Sequence, residues 1–506
     1  MKKTKVSLRN IFGSEMAQND PNFPSYSLDR GEIMDDLLHK DNNLLIINAA
    51  RGSGKSGLLI QFESKLKKAS VGNIVITKYF SDMVFPSGPV TVSDCINYWK
   101  NTLLGYVVSD IGLSNGAKLS DDSMTAHELS EYSGQRTIGV INSILKRVKF
   151  FSSVIEKCEF DPNINIEQLS RIVSESTNTY WILLDEMDDI YDNGVEINLL
   201  IGLLLAASFL SSKFSNVKIR LSIRPHIMTF LRTTNGAIQK LSESEMSISW
   251  NKEQLRTILA KRLDFYEKKT SYSEQKDLAL GDQAAVNTTI QQEIRLIKEY
   301  FDDFDMSFRK DSSSSYRAFG TLCFYRPRWM IEFCKEVYSI VPKGQSANYT
   351  HYRKAFVPFG NRRIQFVAGE FNQIYPFIQE VMSAMVGARQ SGFGKTKKLR
   401  SAIINRIIKT GIVSTEENMY FQKALEIARA LYNVEFLRGK ERISGGGNYH
   451  RFHYYTARPD LLTSWNHEPQ IVWEIHPTFQ RAFNIEDSGA YVISDEVKLV
   501  GKKNQN

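Results

Sequence analysis

The chain has 506 residues, too many for a single hydrophobic core, so we expect two to four domains. Its composition, 42% hydrophobic and 24% charged, is typical of a soluble globular protein. The most apolar run, Leu199 to Leu210, is too short to span a bilayer and is predicted to be a buried helix. The four cysteines lack the spacing of a zinc site or a disulfide framework, and no apolar segment follows the basic start of the chain. We therefore expect reduced thiols, no membrane partner and a cytoplasmic location.

The net charge of +8 is distributed unevenly along the chain. Residues 341–410 contain twelve Lys and Arg but only two acidic residues, Glu370 and Glu380, so the rest of the chain is slightly acidic. A basic region of this kind can contact the phosphates of a nucleic acid, and it can equally face an acidic protein partner. Charge alone leaves both alternatives open.

A glycine-rich loop lies between an apolar strand and an amphipathic helix. Residues 49–56 read Ala-Ala-Arg-Gly-Ser-Gly-Lys-Ser and match the phosphate-binding template G-x-x-x-x-G-K-[ST], except that Ala49 replaces the first glycine. The glycines let backbone N–H groups turn toward phosphates, and the helix that begins near the lysine directs its positive end at the anion. The lysine brings charge to the outer phosphates, and the serine hydroxyl is a Mg²⁺ ligand. We therefore predict a site for ATP and Mg²⁺, with Ser56 as a metal ligand and the nucleotide contacts Arg51, Gly52, Ser53, Gly54, Lys55, Ser56 and Gly57.

A second apolar strand ends in the acidic residues that hydrolysis requires. Residues 180–184 are continuously apolar, as expected for an interior parallel strand, and Asp185 and Glu186 follow directly. We predict that Asp185 holds the Mg²⁺ and that Glu186 is the catalytic base that polarises the attacking water. The alternative is a buried strand that ends in a solvated turn, because Asp188 and Asp189 prolong the acidic run. The phosphate loop upstream favours the catalytic interpretation.

A third strand is predicted at residues 217–223, directly before Arg224. Ligands bind at the carboxyl edge of open α/β sheets, so we predict that Arg224 meets the γ-phosphate and joins Lys55 and Glu186 in the catalytic set. Two more strands are predicted at residues 73–77 and 246–250. With the strand before the phosphate loop they make a five-stranded parallel sheet with helices between the strands, which is an α/β fold.

Several short motifs resemble those of known ATPases. Asp29-Arg30-x-Glu32, followed by the strand and by Arg-Gly-Ser-Gly-Lys-Ser, looks like the opening of AAA+-related ATPases of the STAND and origin-recognition type. Residues 248–255, Ile-Ser-Trp-Asn-Lys-Glu-Gln-Leu, are similar to the element that leads into their helical lid. Residues 325–331 resemble the R-P-R start of a lid helix in bacterial P-loop ATPases of genomic defence islands, and residues 475–480 resemble the I-H-P-x-F signature of that group.

The resemblance extends over residues 8–486 and implies three domains. These are a P-loop ATPase domain of the ASCE or AAA+-like type with an N-terminal lead-in (1–250), a helical lid (251–340) and a basic, winged-helix-like C-terminal domain (341–506). It also implies a role in a prokaryotic antiviral defence or conflict system. The partners that it implies are a protein effector encoded nearby and further copies of the chain in a homo-oligomer.

Three arginines outside the phosphate loop are candidate nucleotide contacts. Arg30 lies in the lead-in, which we expect beside the adenine. Arg326 and Arg328 flank Pro327 at the start of a lid helix, where an arginine can reach the γ-phosphate when the lid closes. The same Arg-Pro-Arg segment can merely cap and solvate the helix, and the sequence does not decide between these alternatives.

The C-terminal region has the pattern of a winged helix. Two helices are predicted at residues 399–408 and 424–437, and a glycine run at 445–447 separates two short strand patterns that suggest a wing. This fold binds nucleic acids or proteins. For the nucleic-acid alternative, the basic residues would follow the phosphate backbone, and bases would stack on Tyr349, Tyr352, Phe356 and Phe359.

Together these patterns predict a Mg²⁺-dependent ATPase that acts as a nucleotide-driven switch in a defence system and is coupled to an effector or to nucleic acid. Two alternatives remain open. One is a non-hydrolysing nucleotide sensor that holds a toxic partner inactive, and the other is a DNA-binding protein whose loading is controlled by ATP.

Overall fold

The computed structural model describes residues 12–39, 41–69, 72–83, 85, 91–115, 170, 173–174, 176–192, 197–274, 290–303, 315–342, 344–386, 392–442, 450–465 and 470–483. The chain forms two compact units. Asp29–Ser249 are one of them, here named the P-loop unit, and Met1–Leu28 with Trp250–Asn506 are the other, here named the C-terminal unit. The segment before Asp29 therefore groups with the later part of the chain. The predicted domain limits at residues 250 and 340 stay predictions.

Strands and helices alternate along the P-loop unit. A short helix that precedes it, α1 (Phe23–Tyr26), belongs to the C-terminal unit. The elements of the P-loop unit are α2 (Gly31–Leu38), β1 (Leu44–Asn48), α3 (Lys55–Ala69), β2 (Asn73–Tyr79), α4 (Val92–Asn115), β3 (Thr179–Asp185), α5 (Asp189–Asp192), α6 (Ile197–Lys213), β4 (Val217–Ile223), α7 (Pro225–Thr234) and β5 (Glu245–Ser247).

The five strands make one parallel sheet in the order β2-β3-β4-β1-β5. All five predicted strands are present, and β4 lies between the strand that precedes the phosphate loop and the strand that ends at Asp185. This insertion of one strand between the two motif strands is the arrangement of the ASCE type. The register pairs Tyr79 with Asp185 and Asn48 with Ile223, so the carboxyl ends of four strands meet at one edge of the sheet.

Strand β4 carries charged residues although both of its faces are buried. Every residue of β4 is buried, including Lys218, Arg220 and Ser222, which alternate with apolar residues. The Arg220 guanidinium donates to the Leu37 carbonyl oxygen through Nε at 3.0 Å and lies over the Trp181 ring at 5.0 Å. Burial lowers the pKa of Arg220 to about 9. An interior strand of this parallel sheet therefore does not need to be continuously apolar.

The apolar run that was predicted to be a buried helix forms the centre of α6. Helix α6 packs against α4, and Leu199, Leu203 and Leu210 are buried. No helix among the described residues is both long and apolar enough to cross a membrane. The prediction of a buried helix is confirmed.

Helices dominate the first part of the C-terminal unit, and a small sheet follows. Its elements after α1 are α8 (Lys252–Glu274), α9 (Ile290–Tyr300), α10 (Ser315–Leu322), α11 (Pro327–Ile340), α12 (Tyr349–Phe371), α13 (Ile378–Met385), β6 (Gly392–Lys395), α14 (Thr396–Ile403), α15 (Tyr420–Asn433), β7 (Leu437–Arg442), β8 (His450–His453), β9 (Val472–Ile475) and α16 (Pro477–Ala482). One hydrophobic core runs from Phe12 to Phe359, and a second runs from Ile364 to Phe479. Helix α12 contributes to both cores.

The sheet of the C-terminal unit is antiparallel, in the order β6-β9-β7-β8. The predicted wing strands correspond to the edge pair β7–β8, in which Gly439 lies opposite His453. The glycine run at 445–447 lies outside the described residues. The sequence pattern predicts neither β6 nor β9, and the predicted two-stranded wing is part of a four-stranded sheet.

Candidate nucleotide-binding site

The phosphate loop joins β1 to α3 through two glycines in left-handed backbone conformation. Gly52 has φ 82° and Gly54 has φ 87°, values that favour glycine over any other residue. The Ala49 amide donates to the Ile223 carbonyl oxygen at 3.2 Å, which ties the start of the loop to β4. Helix α3 begins at Lys55, so its first backbone N–H groups face the loop. This geometry is that of an anion-binding helix N-terminus.

The other predicted loop residues surround this turn. Ser53 is buried, and its amide donates to the Ala50 carbonyl oxygen at 3.1 Å. Ser56 and Gly57 lie in the first turn of α3, and Arg51 is half-buried at the tip of the loop. The chain therefore brings the seven predicted nucleotide contacts together at one end of α3.

Lys55 is held by two partners at the loop. Its Nζ donates to the Ala49 carbonyl oxygen at 2.8 Å and lies 3.6 Å from Asp188 Oδ2. Only 11% of the Lys55 side chain is exposed. The ammonium therefore lies beside Asp188, which only the less favoured interpretation of the sequence placed in a solvated acidic turn.

Asp185 has one satisfied oxygen and one unsatisfied oxygen. Its Oδ1 accepts hydrogen bonds from Ser222 Oγ at 2.5 Å and from the Glu186 amide at 3.0 Å. Its Oδ2 is buried and has no hydrogen-bond partner among the described residues. Since a buried carboxylate oxygen requires a donor or a cation, this atom fits a Mg²⁺ ligand. The assignment of Asp185 and Ser56 as Mg²⁺ ligands stays a prediction.

Glu186 has an unusual backbone conformation directly after β3. Its φ is 62°, which a residue with a side chain seldom adopts. This conformation turns the chain at the carboxyl end of β3. The Asp189 amide donates a hydrogen bond to the Glu186 carbonyl oxygen at 2.9 Å and so closes the turn. Such outliers cluster at functional sites, where the surrounding structure holds them. The half-buried Glu186 carboxylate is therefore presented at the same sheet edge as Asp185.

Arg224 and Asp188 form a buried ion pair at this edge. Arg224 Nε donates to Asp188 Oδ2 at 2.5 Å, and the side chains are 2% and 6% exposed. Burial alone would raise the pKa of Asp188, but Lys55 and Arg224 outweigh it and hold that pKa below its usual value. No role at the site was predicted from the sequence for Asp188 or Ser222. The only sequence signal for Asp188 is that it is the fourth residue of the run 185–188, Asp-Glu-Met-Asp. The only signal for Ser222 is that it is a polar residue between two apolar residues of β4.

Tyr79, at the end of β2, lies opposite Asp185 in the register of the sheet. Burial and the neighbouring Asp185 carboxylate raise the pKa of Tyr79, and Glu63 and Glu186 add to the effect. No sequence pattern indicates a role for Tyr79.

The remaining predicted arginines are engaged within their own units. Arg30 Nη2 donates to the Ser249 carbonyl oxygen at 2.8 Å, and burial lowers the pKa of Arg30. In the C-terminal unit, Arg326 pairs with Glu435 at 2.7 Å and lies over the Trp329 ring at 4.2 Å. Arg328 is 3.6 Å from Glu332. Roles for these three arginines at the nucleotide stay predictions.

The basic tract of residues 341–410 divides into buried and exposed parts. Arg363 is 1% exposed and pairs with Glu332, and Arg362 pairs with Glu336 at 2.6 Å. Lys395, Lys397 and Lys398 are exposed and make no ion pair with a described residue. The prediction that four aromatic residues stack on bases is wrong for Tyr352, Phe356 and Phe359, because these three are fully buried in the first core. Tyr349 is exposed, and its role stays a prediction. Their spacing is that of the packed face of α12.

The sheet order, the phosphate loop and the acidic residues at its edge define the class of this protein. It has the α/β fold of P-loop NTPases of the ASCE or AAA+-like type, followed by helices and a C-terminal domain. The fold and the loop are those of a nucleotide-binding protein.

Two archaeal proteins of solved structure are similar to this chain over nearly its whole length. The ORC2 protein of Aeropyrum pernix, solved in ADPNP–ADP complexes, is 12% identical with a TM-score of 0.41, covering 94% of this chain and 97% of that one. Cdc6p of Pyrobaculum aerophilum is 9% identical with a TM-score of 0.31, covering 95% and 97%. No family model and no curated protein matches the chain. At these TM-scores neither similarity transfers a residue role or a partner to this protein.

Proposed function

We propose that this protein binds ATP with Mg²⁺ at the phosphate loop, hydrolyses it, and acts as a nucleotide-driven switch. The observation that carries the proposal is the buried Asp185 Oδ2, which has no hydrogen-bond partner among the described residues and lies at the edge of the sheet where the phosphate-loop lysine lies. A buried carboxylate next to an anion-binding loop is suited to a cation that accompanies a phosphate.

Each residue of the site has a distinct part in this reaction. The water oxygen attacks the γ-phosphorus, its proton goes to Glu186, and the bond to the β,γ-bridging oxygen breaks to release ADP. Lys55 and Arg224 stabilise the negative charge that develops on the phosphate oxygens. Ser56 and Asp185 would hold the Mg²⁺, which would supply positive charge that neutralises part of the phosphate charge.

The switch is proposed to act in a prokaryotic antiviral defence or conflict system through a protein effector. The support is the resemblance of the Arg-Pro-Arg and Ile-His-Pro segments to those of defence-island ATPases. We propose that Arg326 or Arg328 reports the nucleotide state through the lid, that Arg30 contacts the adenine, and that copies of the chain assemble into a homo-oligomer.

Equilibrium binding of ATP tests the nucleotide site. We expect Lys55→Ala to abolish ATP binding, since it removes the charge on the outer phosphates, whereas Glu186→Gln should bind ATP as the wild-type protein does. Fluorescence anisotropy of a labelled ATP analogue with Mg²⁺ measures both. Wild-type affinity in Lys55→Ala would contradict the assignment of the phosphate loop.

A second candidate function is ATP-controlled binding to DNA. It is favoured by the exposed Lys395, Lys397 and Lys398, which make no ion pair with a described residue. Lysines in such a position can contact phosphates, and their contribution falls as salt rises.

Charge reversal tests the DNA candidate. We expect replacement of these three lysines and Arg400 by Glu to weaken binding to double-stranded DNA and to reduce its salt dependence, with basal ATP hydrolysis unchanged. Reversal of Lys67 and Lys68, which are exposed at the end of α3, is the matched control. Unchanged DNA affinity in the first variant would refute this candidate.

A further inference from the structure

We propose that Asp188 is a positioning residue of the nucleotide site, which orients Arg224 toward the γ-phosphate and competes with the phosphates for Lys55. The inference rests on the proposed function and adds to it a residue that controls affinity and turnover in opposite directions. It comes from the contacts of one buried carboxylate.

One oxygen atom of Asp188 serves both cations. Arg224 Nε lies 2.5 Å from Asp188 Oδ2 and Lys55 Nζ lies 3.6 Å from the same atom. Arg224 also reaches Asp189 Oδ1 at 3.5 Å, but the Asp189 side chain is 40% exposed and the contact is long. Asp188 is therefore the closer acidic partner of Arg224 and the more distant of the two groups that hold Lys55.

The backbone fixes Asp188 in this position. The left-handed φ of Glu186 turns the chain after β3, and the Tyr191 amide donates to the Asp188 carbonyl oxygen at 3.1 Å. Arg224 is fixed in turn because it precedes Pro225 at the N-terminus of α7, and its carbonyl oxygen accepts from the Met228 amide at 3.0 Å. The pair therefore joins the turn that carries Glu186 to the end of β4.

The two contacts of Asp188 have opposite consequences for the reaction. Phosphates that bind Lys55 compete with Asp188 for the ammonium, so the carboxylate weakens nucleotide binding. The guanidinium that is paired to Asp188 keeps one orientation, which transition-state stabilisation by Arg224 requires. Removal of the charge should therefore raise affinity and lower kcat, whereas a purely structural role would lower both.

The test compares Asp188→Asn with the wild-type protein in two assays. We expect ATP to bind severalfold more tightly, both with Mg²⁺ and in EDTA, and kcat to fall about 100-fold because Arg224 is misplaced. Asp188→Glu should recover part of the lost kcat. The matched control is Asp41→Asn, which removes an exposed carboxylate 3.9 Å from His39 in the same unit and should change neither value.

A double-mutant cycle tests whether Asp188 acts through Arg224. We expect Asp188→Asn to leave kcat unchanged in an Arg224→Gln background, and independent, multiplicative losses would overturn the proposal. Wild-type kcat and affinity in Asp188→Asn would also overturn it.

Circular dichroism shows whether Asp188→Asn folds, and if it does not, Asp188→Glu is the deciding variant. A lowered kcat of Asp188→Glu with ATP binding retained supports the proposal, and a wild-type kcat overturns it. A wild-type protein that neither binds nor hydrolyses ATP would refute the proposed function itself.

Discussion

Each unit contains a buried titratable residue whose surroundings decide whether it is charged. At the nucleotide site, Asp188 is surrounded by cations, which stabilise its charged form. In the C-terminal unit, His476 is fully buried, stacks on Phe324 at 3.8 Å and accepts a hydrogen bond from the Thr478 amide through Nδ1 at 3.3 Å. Burial lowers the pKa of His476 well below its usual value, and Arg438 and Arg326 add to this effect. His476 is therefore neutral in the folded protein.

The neutral His476 should make the C-terminal unit sensitive to acid. Below about pH 6.5 the unfolded chain binds a proton at this histidine and the folded chain does not, so the free energy of unfolding should fall as pH falls, by up to about 1.4 kcal/mol per pH unit. We expect His476→Asn to remove this part of the slope. Urea unfolding between about pH 7 and about pH 5 measures it.

His39→Asn is the control for the acid sensitivity, because the side chain of His39 is 59% exposed. This variant should keep the wild-type slope. An unchanged slope in His476→Asn would contradict the buried neutral state of His476.

The sequence predicts residues of the site where the chemistry needs them at fixed spacing. Lys55 and Ser56 follow from the loop template, and Asp185 and Glu186 from an apolar strand that ends in acids. Asp188 was missed because its partners come from the phosphate loop and from β4, which only the folded sheet brings together. Long-range contacts of this kind have no local sequence pattern.

At the scale of elements, the packing of α6 on α4 depends on a glycine. A Cβ atom at Gly202 would lie 2.5 Å from Cys95 Cβ and 2.8 Å from its backbone carbon. In contrast, a Cβ at Gly105 in α4 would meet nothing within 4 Å. The two glycines therefore lie in the same helix pair but in opposite steric environments.

Alanine substitutions of these glycines should change stability in opposite directions. Gly202→Ala should reduce the free energy of unfolding by about 1–3 kcal/mol, because overpacking moves the helices apart. Gly105→Ala, the matched control, should raise it by about 0.5–1 kcal/mol through the higher helix propensity of alanine. Urea unfolding followed by tryptophan fluorescence reports both, since Trp99 of α4 donates to the Leu199 carbonyl oxygen of α6 at 2.8 Å. A stabilising Gly202→Ala would contradict the close approach of the helices.

Elements were predictable where the local pattern was strong. Strands β1 and β3 are apolar runs, and the C-terminal helices near residues 399 and 424 have helical periodicity. Strand β6 reads Gly-Phe-Gly-Lys and has little intrinsic strand preference, so its conformation depends on pairing with β9, far along the chain. The sequence therefore predicted an isolated hairpin in place of a four-stranded sheet.

At the scale of the whole molecule, the residues of the two proposed activities, ATP hydrolysis and DNA binding, lie in different units. The phosphate loop and its acidic residues lie in the P-loop unit, and the exposed lysines at 395–398 lie in the C-terminal unit. Composition predicted the basic region but not which of its residues are buried. Arg363 shows the difference, because it is buried against Glu332 and is thus part of the packing.

The most direct test of the central claim is steady-state release of phosphate from ATP and Mg²⁺, with Lys55→Ala as the blank. We expect the wild-type protein to release phosphate above this blank and Glu186→Gln to release none beyond it, while the latter still binds ATP. Hydrolysis by Glu186→Gln at the wild-type rate would contradict the role of Glu186 as the base. Absence of hydrolysis by the wild-type protein would contradict the ATPase itself.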